Sequence, residues 1–113
     1  MSPFNYGADQ LTAGKAIDIA SGQLKAVLNR QTVARINASQ QQVQQIVALG
    51  KTVYGVNTGF GILANTAISA GDTATLQYKL LQSHSVGVGD PLPVEVAKLM
   101  MITKVHALAK GYS

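Results

Sequence analysis

The stretch from Val94 to Lys110 carries Val96, Ala97, Leu99, Met100, Met101, Ile102, Val105, Leu108 and Ala109, which at about 3.6 residues per turn cover nearly every side of a helix. A helix on the surface of a domain needs one apolar stripe, whereas one that is apolar all round has to be surrounded. The chain is therefore expected to be mainly α, a helical segment of a larger all-α assembly with a short strand or two. Composition agrees: no Trp, four Tyr and two Phe leave a core of Leu, Ile, Val, Ala and Met, which favours helices over a sandwich or barrel. Charged residues make up 12% of the chain, well below the share usual for soluble domains. Part of the surface should face a partner, and self-association is the expectation that follows.

Other classes fall away on the same grounds. Nine Lys and Arg against five Asp and Glu give a net charge of +4, but the basic residues stand singly, without runs or interleaved aromatics. That pattern argues against nucleic acid. With no Cys there is neither a disulfide framework nor a thiolate metal site. No stretch has the order of a secretory leader, and no apolar run approaches the ~18 residues of a membrane span. A cytoplasmic location without a membrane partner is expected. At 113 residues, one compact unit is the default.

Local signals divide the chain. Residues 1–10, with Pro3 and Gly7, read as an arm. Thr12 can cap a helix that Gly22 stops, and Leu24–Asn29 can be a strand. Thr32 can cap a second helix running to Leu49, with Ile36, Val43, Ile46 and Val47 on one side and Arg35, Gln40, Gln41, Gln44 and Gln45 on a solvated face; Gly50 closes it. Asp72 can cap a third helix in which Leu76, Leu80 and His84 share a stripe. Pro93 suits the first turn of the last helix, Val94 to Lys110.

Residues 52–71 differ in kind. VYGVNTGFGILANTAISA holds Gly55, Gly59 and Gly61, has too few polar residues for a linker and shows no helical stripe, so it reads as an ordered, functional loop. It presents Tyr54. The loop lacks the Gly-Lys-Ser/Thr ending of a phosphate cradle and does not open a helix with G-x-G-x-x-G. Taken by themselves, a tyrosine before glycine is most simply a packing residue, Gly61 a turn residue, and a histidine on an apolar stripe a satisfied core residue.

VYGVNTGFG (Val53–Gly61) followed by SHSVGVGDPLP (Ser83–Pro93) resembles the paired signature of the aromatic amino-acid ammonia-lyase and aminomutase family, and the resemblance runs from Leu11 to the end of the chain. It implies an N-terminal part of such an enzyme, in which Tyr54 is the general base that removes a proton from the substrate's β-carbon, Gly61 lies beside the substrate, and His84 contacts the substrate ring. A phenol ordinarily titrates near pH 10, so a tyrosine in this role needs neighbours that stabilise its phenolate. Ser83-His84 and Asn57 point to the histidine-acting branch, whose product is urocanate. His106 has no motif around it and reads as core.

The family's electrophile, a methylidene-imidazolone formed from an Ala-Ser-Gly triplet, is implied to come from downstream of residue 113, so the chain is expected to hold no electrophile, no other cofactor, no metal, and a minority of the site. By itself it is expected to be inactive; the parent would be a homotetramer. Two alternatives remain open at this stage: a tyrosine or phenylalanine lyase or aminomutase, and a non-catalytic helical association module.

Overall fold

A computed structural model describes residues 2–59 and 66–112. Among the described residues six elements follow in order: β1 (Phe4–Asn5), α1 (Ala13–Ala20), β2 (Ala26–Val27), α2 (Arg30–Ala48), α3 (Ala70–His84) and α4 (Val94–Leu108). The protein is mainly α, as its composition requires. It divides into two compact units, one of Met1–Gln40 with Asp90–Ser113, the other of Gln41–Gly89.

In the first unit β1 and β2 pair in parallel, Phe4 opposite Ala26 and Asn5 opposite Val27, so the N-terminal arm is tied down. Thr12 accepts from the Lys15 N–H and starts α1. At the other end Gly22 adopts φ +83°. Its N–H reaches Ile19 O at 3.1 Å and that of Gln23 reaches Asp18 O at 2.9 Å, the two bonds of a Schellman ending. Ala16 and Ala20, one turn apart and both buried, let α1 lie close against α4, where Ile102 is buried. The Lys98 ammonium donates to Ala20 O at 3.4 Å. Val94, Met100, Met101 and Leu108 of α4 remain exposed, so the all-round apolar helix uses one side within this unit.

Two helix starts differ from the sequence expectation. Asn29, not Thr32, caps α2: its Oδ1 takes the Thr32 N–H at 2.9 Å. Thr32 is fully buried, its hydroxyl donating to Tyr6 O at 3.2 Å. Likewise Ser69, not Asp72, caps α3; its Oγ accepts from the Asp72 N–H while donating to the Asp72 carboxylate at 2.6 Å. Pro93 precedes α4, which ends at Leu108, two residues short of the expected Lys110.

Gly7 is the rivet of the first unit. Its φ is +77°, and a Cβ there would meet Ala109 O at 2.5 Å. Its N–H donates to Nδ1 of His106 at 3.1 Å, and its carbonyl takes the Arg35 guanidinium at 3.2 Å. The His106 ring sits 5.5 Å from that of Phe4. Burial lowers the His106 pKa from its ordinary 6.5, the nearby Lys110 ammonium lowers it further, and Asp9 opposes both. His106 is thus a packing and hydrogen-bonding residue.

Candidate active-site loop

In the second unit, Tyr54 follows from the backbone that carries it. Residues 53–56 make a four-residue turn closed by the Val56 N–H on Val53 O at 3.1 Å, with Tyr54 and Gly55 in the middle positions. Gly55 has φ +78°, the left-handed value that a type II turn demands at its third position. Tyr54 therefore rides on the crest and is 65% exposed.

Polar side chains fix this turn. Asn57, only 3% exposed, accepts the Val53 N–H on Oδ1 at 2.8 Å and donates Nδ2 to Lys51 O. Thr58, fully buried, accepts the Gly55 N–H on Oγ1 at 3.2 Å. Thr58 also forms an antiparallel bridge with Ala67, flanked by Ile68 N–H to Asn57 O at 2.7 Å and Gly59 N–H to Thr66 O at 3.2 Å, which closes the neck of the loop. Asn57, read from sequence as a mark of substrate class, is in the structure a staple of the backbone.

From α3, Gln77 reaches back to the turn: Nε2 donates to Gly55 O at 3.3 Å and to Val56 O at 3.2 Å. Sequence reading passed over Gln77. Its one visible signal is that it stands seven residues before His84, on the same face of a helix.

His84 closes α3 and is exposed. Its Nδ1 lies 2.9 Å from Leu80 O and 2.9 Å from Ser83 Oγ. A carbonyl oxygen cannot donate, so the Leu80 contact calls for the Nδ1–H tautomer, which leaves Nε2 as an acceptor. Tyr54 and His84 thus lie in one unit, connected through Gln77 and α3. Gly61 lies outside the described residues. Among the described residues no group of three or more His, Asp or Glu side chains is arranged to hold a metal, and no helix is long and apolar enough to cross a membrane. The clefts lined by Tyr6, Ala20, Lys98 and Ile102, and by Asp9, Thr103 and Lys110, lie in the other unit and hold none of these residues.

The family model for aromatic amino acid lyases matches residues 11–113, and the chain belongs to that family. Among curated relatives, the histidine ammonia-lyase of Salmonella typhimurium is 43% identical over 113 residues, all of this chain and 22% of its own. That of Psychromonas ingrahamii is 40% identical over 104 residues, 92% of this chain and 20% of its own. The chain therefore spans about a fifth of the length of the relatives it matches. Among solved structures, tyrosine aminomutase from Streptomyces globisporus superposes with a TM-score of 0.87 at 24% identity, covering 97% of this chain and 21% of that one. An ergothioneine-degrading enzyme from Treponema denticola gives 0.86 at 22% identity, covering 97% and 22%. At these identities the structures establish the shared fold.

Although the resemblance puts the family's triplet downstream of residue 113, one Ala-Ser-Gly does occur in this chain, at Ala20-Ser21-Gly22. It is the Schellman end of α1. Its glycine N–H is committed to Ile19 O, and Ala20 O takes the Lys98 ammonium. Closing an imidazolone would need that glycine nitrogen on the alanine carbonyl carbon, so the triplet does not fit the electrophile, and no chemical step is derived through it.

Proposed function

We propose that residues 1–113 are the N-terminal part of a cytoplasmic histidine ammonia-lyase whose parent converts L-histidine to urocanate and ammonia, residues 52–71 forming its active-site loop. The observation that carries this reading is Tyr54 held on the crest of a glycine turn by Asn57, Thr58 and Gln77, in the same unit as His84. In the elimination the Tyr54 oxygen takes a proton from the β-carbon, the C–H electron pair becomes the new double bond, and the amine leaves with the C–N pair. In this family a methylidene-imidazolone supplies the electrophile that makes the amine a leaving group. His84, with Nε2 as acceptor, is suited to take a hydrogen bond from the N–H of a substrate imidazole. Gly61 is assigned to the substrate side of the loop on the motif alone. The identities of the curated relatives favour histidine over tyrosine. The bare apolar faces of α4 support self-association of this segment and a multi-subunit parent.

The test is direct. The full-length protein should raise urocanate absorbance with L-histidine, and the isolated segment should not. Replacing His84 by Leu should lower kcat/KM for histidine roughly tenfold to a hundredfold, the loss of one hydrogen bond to the substrate ring, while sparing phenylalanine. An enzyme that acts on tyrosine but not histidine, or a ratio of the two efficiencies unmoved by His84→Leu, overturns the substrate assignment.

A further inference from the structure

We propose that Gln77 is a positioning residue for Tyr54: its side-chain amide, gripping the two carbonyls that follow the tyrosine, sets where the Tyr54 hydroxyl stands along the face of α3 that carries His84. The proposal rests on the reading of Tyr54 as the base.

The bonds that shape the Tyr54 turn are of two kinds. Those from the Val53 N–H to Asn57 and from the Gly55 N–H to Thr58 join residues four and three apart. They fix the form of the turn and say nothing about where it sits. The bonds from Gln77 join residues 21 and 22 apart and bring the turn to a helix. A glutamine amide has two protons to donate, and its Nε2 lies within hydrogen-bond reach of two acceptors on consecutive peptides, Gly55 O at 3.3 Å and Val56 O at 3.2 Å. Gln77 belongs to the inner face of α3 with Thr73, Leu76 and Leu80, all buried or half-buried. His84 continues that face two turns on from Gln77, about 10 Å along the axis. One helix face thus locates both the turn that carries the base and the imidazole assigned to the substrate ring. A base and a ring contact must be spaced to suit one small amino acid, and a displacement of about 1 Å in such a pair costs on the order of a hundredfold in rate.

In the full-length lyase, Gln77→Met keeps the side-chain volume and removes both donors. It should lower kcat roughly tenfold to a hundredfold with KM for histidine moving less than about threefold. With β-deuterated histidine the isotope effect on kcat/KM should rise, because proton removal becomes slower relative to the other steps. In a Tyr54→Phe background the same change should cost less than about twofold, since the group being positioned is gone. If the losses multiply instead, or the isotope effect stays put, Gln77 is a structural residue and the base reading survives. If Tyr54→Phe alone keeps more than about a tenth of the activity, the base reading fails and takes this proposal with it. Gln77→Glu, of the same shape, gives the same pattern should the Met variant not fold. In the unaltered chain the Gln77 amide protons should exchange slowly and lie close to residues 55 and 56 by NMR; exchange at the rate of an exposed glutamine overturns the proposal without any variant.

Discussion

The chain spells Tyr-Gly twice, at Tyr6-Gly7 and Tyr54-Gly55, and both glycines take nearly the same angle, φ +77° and +78°. Their surroundings differ completely. Tyr6 is half-buried with its ring 5.7 Å from that of Phe4, edge to face, and Gly7 is packed so closely on Ala109 that no side chain fits. Tyr54 stands out from its turn, whose N–H groups donate to Asn57 and Thr58 and whose Gly55 carbonyl accepts from Gln77. The first dipeptide closes a core and the second displays a side chain. The glycine takes the same angle in both; what the tyrosine can do is decided by what packs on the dipeptide, Ala109 in the first case and Gln77 in the second.

The comparison can be broken most decisively by activity. In the full-length enzyme Tyr54→Phe should cut turnover by ~100-fold to ~10,000-fold, the value of a positioned proton transfer, with the fold retained. Tyr6→Phe should leave turnover within about threefold. Similar losses at both positions, read from urocanate formation, would return Tyr54 to a packing role. The next largest effect concerns the glycines. Gly7→Ala meets both a left-handed backbone and the Ala109 carbonyl, so it should cost about 3 kcal/mol or more and lower the melting temperature of the 113-residue chain by roughly 12 °C or more. Gly55→Ala should cost at least the strain of a left-handed backbone, about 1 kcal/mol. Equal shifts by calorimetry would mean that the Tyr54 turn is as tightly enclosed as the arm.

The smallest effect is pH-dependent. His106 accepts the Gly7 N–H only when Nδ1 is unprotonated, and burial lowers its pKa from 6.5. Below about 6.5 the unfolded chain therefore takes up the proton more readily than the folded one, so stability should fall as pH drops from there and level off once it passes the folded value. Lys110 steepens this dependence and Asp9 softens it. Denaturant melts between pH 7 and 5 should show the slope in the native chain and lose it in His106→Gln, while His84→Gln keeps it. A slope unchanged in His106→Gln would remove His106 as its source.

Much of this was legible in the sequence, for reasons that vary by residue. Gly22 and Gly50 end their helices as read, since a left-handed ending is a local demand that glycine meets alone. The helix starts slipped by three residues at both Asn29 and Ser69. Each time the cap and the third helical residue are both short polar residues, and only packing decides between them: Thr32 is drawn into the core by the Tyr6 carbonyl. Tyr54 and His84 stood out as candidates because a family pattern surrounds them. Gln77 was not, because the carbonyls it binds are backbone groups and leave no trace in the letters. The all-round apolar α4 was read correctly as a helix, but not which side the first unit would cover.

The triplet at Ala20-Ser21-Gly22 has a consequence for how such enzymes mature. The family is known for a reactive group made from its own protein chain, and this segment spells Ala-Ser-Gly at the end of its first helix. Selectivity has to come from conformation. A glycine nitrogen hydrogen-bonded into the end of α1 is a poor nucleophile, so the helix terminus shields this copy from the reaction that the family performs elsewhere. Secondary structure then acts as a protecting group, holding the Gly22 nitrogen away from the Ala20 carbonyl carbon that ring closure would require.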